Sequence, residues 1–256
     1  MQLAETWDLG LCIRTDSVDS TPVVGNLIIL IALAGAPAEG AATPLRAEVP
    51  VITEVLYAVP KGAEGDATGD GSRHATGDEF IEIYNPTAKE IRLSGWTITD
   101  RNKPDAGQFL FVFPNFRLGP GETVVVFNGL DQTIPGPVGD AEKAPAEPND
   151  RFDNAWVFTA GNTSAQVGLA NSGDWVCLRT PSGEVVSCLE WGTTDETPPV
   201  GDARLETLPR TSSSSVQRTL ASPEGVFEAH PTVQGLRCSP GTPPPPAGAV
   251  ATAPDD

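Results

Sequence analysis

The chain has 256 residues, room for one large β-domain or two average ones, and its 26 glycines, 25 prolines and single methionine favour short strands joined by many turns. Its 34 acidic against 16 basic residues give a formal charge of −18, which repels a phosphate backbone and excludes nucleic acid as a partner of the surface as a whole. No stretch sustains helical periodicity, so helical bundles and coiled coils are excluded as well.

Taken in chain order, the first feature is the apolar run Val23–Ala34, followed by Gly35-Ala36-Pro37-Ala38. Too short to span a bilayer, it fits the hydrophobic region and cleavage zone of an export signal, although Arg14 is the only basic residue before it. Residues 1–38 are therefore expected to be an export segment and 39–47 a small-residue linker. A domain is expected over 48–243, and a Pro/Ala-rich tail over 244–256 that cannot bury a core. The mature form is expected to carry no transmembrane span and to be secreted, periplasmic or at the cell surface.

Strands are expected at Val51–Ala58, Glu79–Tyr84, Ile91–Leu93, Trp96–Thr99, Phe109–Phe113, Thr123–Phe127, Ala165–Leu169, Asp174–Thr180, Glu184–Glu190 and Val216–Leu220. Turn chemistry separates them, which favours an all-β sandwich with long irregular loops. The continuous run Val124-Val-Val-Phe127 reads as a central strand, opened by the turn Gly119-Pro-Gly-Glu122. Residues 130–153 and 193–215 lack apolar periodicity and read as surface excursions.

Between the first two strands, Asp66, Thr68 and Asp70 are followed by Gly71, the spacing at which side-chain oxygens converge on a hard cation. Ser72 would add a backbone carbonyl and Asp78 or Glu79 the closing carboxylate, so calcium is the candidate cofactor. The alternative is an Asp/Gly turn whose carboxylates cap backbone amides.

Later in the chain, a two-residue turn at Ser182-Gly183 sets Pro181 against Glu184 and, counting outward, Cys177 opposite Cys188. Opposed Cβ atoms lie roughly 4.5–5.5 Å apart, within reach of a disulfide. Val176, Leu178, Val185, Leu189 and Trp191 would form the core face, with both cysteines on the outer face. Oxidised, the pair points outside the cytosol; reduced, it is two thiols on a small apolar patch. Cys12 would leave with the export segment, and Cys238 stays unpaired.

Five segments in this order resemble the lamin tail domain family, including the versions found in bacterial exported proteins. They are Glu79-Phe-Ile-Glu-Ile-Tyr-Asn-Pro86, Ile91-Arg-Leu-Ser-Gly-Trp-Thr-Ile98, Phe113–Val126, the hairpin Gly173–Val186 and the closing Cys238-Ser-Pro-Gly-Thr-Pro243. The resemblance implies a compact immunoglobulin-like β-sandwich used for binding or as an accessory module, with no catalytic residues to carry over. Trp96, delivered by the Leu93-Ser-Gly corner, would fill the space between two sheets, and Trp191 would join it in the core. The coiled-coil rod that precedes this domain in nuclear lamins is missing, so filament assembly is not implied.

Neither histidine, His74 nor His230, lies in a recognisable nucleophile or zinc pattern, and no Gly-x-Ser-x-Gly occurs. The expected function is an exported, non-enzymatic binding or structural module, with calcium as its candidate stabiliser, whose partner is a protein, a glycan or an envelope component. The alternative is an accessory module or small hydrolase of unknown substrate.

Overall fold

The computed structural model describes residues 49–103 and 107–246; the export segment, the linker, Cys12 and the end of the tail lie outside the described residues. The strands are β1 (Val51–Leu56), β2 (Phe80–Tyr84), β3 (Ile91–Arg92), β4 (Thr97–Asp100), β5 (Leu110–Val112), β6 (Arg117–Leu118) and β7 (Thr123–Phe127). They continue with β8 (Trp156–Thr159), β9 (Gly173–Arg179), β10 (Val185–Gly192), β11 (Leu205–Thr207), β12 (Val216–Arg218) and β13 (Phe227–Ala229), and one short helix, α1, follows at His230–Val233.

One sheet has the order β13-β12-β1-β2-β7-β8 and a second the order β11-β10-β9-β4-β5, with β3 and β6 forming a separate ribbon. Pairing is antiparallel except for β7 with β8 and β10 with β11. Inward residues of the two sheets, among them Ile52, Ile81, Val124 and Phe158 facing Ile98, Phe111, Leu178 and Trp191, share one core. The chain is thus an all-β, immunoglobulin-like sandwich. Trp96 and Trp191 both belong to that core, and Trp191 stacks on Tyr57 with ring centroids 4.6 Å apart. A bulge at Thr53 lets Ile52 and Val55 both point inward although they are three apart.

The Val124–Phe127 run is buried on both faces, as a central strand requires. Val124 and Val126 enter the main core, while Val125 and Phe127 enter a second cluster on the outer face with Leu56, Phe80 and Phe152. Ile134 and Val138 pack on that cluster, so the 130–153 excursion folds back as a cover over the sheet.

Three expectations need correction. Residues 165–169 form no strand, because side chains take the backbone groups a ladder would use: Asn128 Nδ2 donates to Val167 O at 2.7 Å, and Leu169 N donates to Glu79 at 2.9 Å. The hairpin loop has three residues rather than two, since Gly183 N donates to Thr180 O and Thr180 N to Glu184 O. That shifts the register by one, and a bulge between Val185 and Ser187 shifts it back, so Cys177 still faces Cys188.

The third correction concerns the faces. The cysteines point not to solvent but into a cluster with Trp175 and Val185, capped by Val200, Ala203 and Leu205. Both are fully buried. The 193–215 stretch supplies this cap by running β11 parallel along β10, and the bulge moves Val185 from the main core to the cysteine side.

The tail expected from 244 begins with attached residues, since Ala221 N donates to Pro245 O at 3.0 Å.

Candidate functional site

The structure gathers Asp66, Thr68, Asp70, Ser72 and Asp78 into one loop, and all six oxygens of its three carboxylates accept backbone N–H groups. Asp66 Oδ1 accepts from Gly69 and Asp70 and its Oδ2 from Gly71; Asp70 accepts from Ser72 and Thr133. Asp78 takes Thr68 N at 2.8 Å and His74 N at 2.6 Å on its two oxygens, and the Thr68 hydroxyl adds a third bond at 3.0 Å. Burial nonetheless holds the Asp78 carboxyl above the usual range. The carboxylates thus pin the turn through backbone amides.

Glu79 is not brought into that loop. As the residue before β2 it points the other way, into a buried group with Asp100, Asp174 and Lys103. Lys103 Nζ lies 3.2 Å from Asp100 and 3.1 Å from Asp174. Burial raises Glu79 well above its ordinary value and Asp100 to about 7, against the pull of Lys103.

A third polar group underlies the segment after α1, where the closing Cys238–Pro243 stretch crosses the outer face of the first sheet as a strap. Glu54 of β1 faces Glu82 of β2 and Gln217 of β12. Ser239 N donates to Glu54 at 3.1 Å, Gly241 N to Glu82 at 2.8 Å and Thr53 Oγ1 to Glu82 at 2.6 Å. Burial pushes both carboxyls upward, Glu82 further by the charge of Glu54.

His230 Nε2 lies 2.7 Å from Ser239 Oγ and its Nδ1 lies 2.9 Å from Leu236 O. That carbonyl only accepts, so Nδ1 carries a proton; Ser239 Oγ also lies 3.2 Å from Glu54 Oε2. This is the nearest approach to a nucleophile and base among the described residues. However, the imidazole and Glu54 are fully buried beneath the strap, and a carbonyl rather than a carboxylate orients the ring. Sequence reasoning missed this group; its one signal was an acid inside each of two apolar strands, Glu54 between Thr53 and Val55 and Glu82 between Ile81 and Ile83.

The described surface has clefts of different character. One, of about 600 Å³, lies between the start of β1, β10 and the disulfide cap, and mixes Arg179 and Arg204 with Glu184 and Asp202. Another, of about 420 Å³, is lined by three basic side chains and no acidic one.

Two sheets closed over a shared core, with buried polar groups that tie loops and strap to the sheets, define an immunoglobulin-like β-sandwich module. The chain belongs to the lamin tail domain family, whose match covers residues 47–193, more than half its length. β11, β12, β13 and the strap lie beyond that match. A DUF4876 family protein from Bacteroides thetaiotaomicron, known from its crystal structure, is similar at 16% identity, covering 75% of this chain and 69% of that one, with a TM-score of 0.40. No curated protein matches.

Proposed function

We propose that this chain is an exported, non-enzymatic module of the lamin tail domain family, acting as a binding or structural element at the cell envelope or outside the cell. The observation that carries the reading is the Cys177–Cys188 disulfide inside its apolar cap. Cytosolic reductants keep such thiols reduced, whereas an oxidising compartment preserves the bond. The partner is a protein, a glycan or an envelope component, and the chemistry of the sites supports binding rather than turnover, because the Ser239–His230 pair is sealed from substrate.

Cell fractionation with thiol trapping tests this. The expected result is protein in the envelope or medium, starting near Ala38 or Glu39, with the 177–188 bond intact. Recovery from the cytoplasm with its first residues present and both thiols alkylated would overturn it. Turnover of model esters that a Ser239→Ala variant loses would restore the hydrolase reading.

A further inference from the structure

We propose that the cleft between the segment after β1 and the β11–β12 connection binds a tetrahedral oxyanion, phosphate or sulfate, free or carried as an ester. The proposal deepens the binding reading by giving it a ligand class. Four separated segments meet there and bring Lys61, Arg73 and Arg210 together with Asn171, Thr211 and Ser212. In a chain with 34 acidic and 16 basic residues, a lining drawn at random would hold more acids than bases; this one holds three bases and no acid. Like charges so gathered repel one another, and a bound anion relieves that repulsion.

The cleft is also built. Arg73 is held from behind, its Nε donating to Pro60 O at 2.8 Å and its Nη2 to Val59 O at 2.9 Å. Arg210 Nη2 reaches Ser172 O at 3.3 Å. Lys61 has no hydrogen bond or ion pair among the described residues.

The far wall is anchored in the core. Tyr57, stacked on Trp191, donates to Pro209 O at 3.0 Å and accepts from Thr211 N at 2.9 Å, which fixes the turn bearing Arg210 and Ser212. Guanidinium groups bind phosphate and sulfate through paired N–H donors, and the hydroxyl and amide groups add uncharged donors. Ligand clefts run from roughly 300 to 1,000 Å³, so about 420 Å³ leaves room beside the anion for a sugar-sized carrier against Ala58 and Val59.

The experiment follows the melting temperature and calorimetric heat of the mature protein with inorganic phosphate, sulfate, glucose 6-phosphate and, at matched ionic strength, chloride. Phosphate or sulfate is expected to raise the melting temperature at millimolar concentration where chloride does not. A tighter fit of glucose 6-phosphate assigns an ester-borne group, and a tighter fit of phosphate the free anion. The Lys61→Ala/Arg210→Ala double variant is expected to lose the response while keeping the ligand-free melting temperature.

If that variant unfolds, Lys61→Gln at an exposed position is expected to weaken binding roughly tenfold, with Lys61→Arg restoring it. Phosphate and sulfate acting no better than chloride, or a folded variant binding as well as the parent, overturns the proposal. The two readings fail separately. A cytoplasmic protein that binds phosphate removes the exported reading and leaves the cleft, and a secreted protein indifferent to oxyanions does the reverse.

Discussion

Gly241 shows how one residue closes the domain. Its amide holds Glu82, its φ is +96°, and a Cβ there would lie 2.1 Å from Phe152 O, a backbone atom that cannot swing away. Gly241→Ala is expected to cost about 1–3 kcal/mol in urea denaturation, because strain and clash act together. Gly183→Ala is the control: φ is +85° but nothing lies within 4 Å, so it is expected to cost only about 1 kcal/mol. Equal losses at the two sites would argue against a strap held at Gly241. In the 66–78 loop, Asp78→Asn weakens bonds to Thr68 and His74 and is expected to cost about 1.5–3 kcal/mol. Calcium there must compete with seven backbone amides for the same oxygens. Heat on titration with Ca²⁺, with a raised melting temperature at millimolar calcium, carries the calcium reading; neither leaves an amide-capped turn.

Among the elements, the β9–β10 hairpin has the largest consequence. Its disulfide spans a sequence separation of 11, which in the chain-entropy account amounts to about 3 kcal/mol. A Cys177→Ala/Cys188→Ala variant is expected to lose about that much in urea denaturation. In the parent, mild reductant at neutral pH is expected to leave the bond intact until the 198–207 cap opens, which alkylation followed by mass spectrometry measures. Release at the same rate in folded and unfolded protein would show that the cap does not seal it. The opposition of the two cysteines follows in the sequence from a two-residue turn that the structure does not have, and it holds because the bulge between Val185 and Ser187 offsets the extra loop residue. The burial of the pair was not legible, because its cover comes from three isolated apolar residues, Val200, Ala203 and Leu205, with no periodicity to mark them. The same limit hid the cleft: Lys61, Arg73, Asn171 and Arg210 meet only after folding, and their spacing carries no signal. The acidic loop was legible because its residues are neighbours, but Glu79 left it when strand alternation turned that side chain the other way.

At the scale of the whole molecule, surface charge and buried acids make stability depend on pH in one direction. Burial raises Glu54, Asp78, Glu79, Glu82 and Asp100 above their ordinary values, Asp100 to about 7. A carboxyl raised in the folded state holds its proton where the unfolded chain has released it. Its contribution is therefore fully present below the ordinary carboxylate range and is lost as pH rises toward the folded value, by about 1.4 kcal/mol per pH unit per group. His230 works the other way: burial lowers it, so its contribution is present above the ordinary histidine value of 6.5 and is lost as pH falls. One imidazole opposes several carboxyls, so the melting temperature is expected to rise as pH is lowered from 8 to about 5. Repulsion among the surface charges behind the net −18 acts in the same sense, but salt screens it and leaves buried groups largely untouched. The pH slope is therefore expected to persist in high salt and to flatten in Glu82→Gln, whose amide oxygen still accepts from Gly241 N without a proton to lose. Disappearance of the slope in salt would place the pH dependence on the surface, and an unchanged slope in that variant would place it on Asp78, Glu79 and Asp100 rather than beneath the strap.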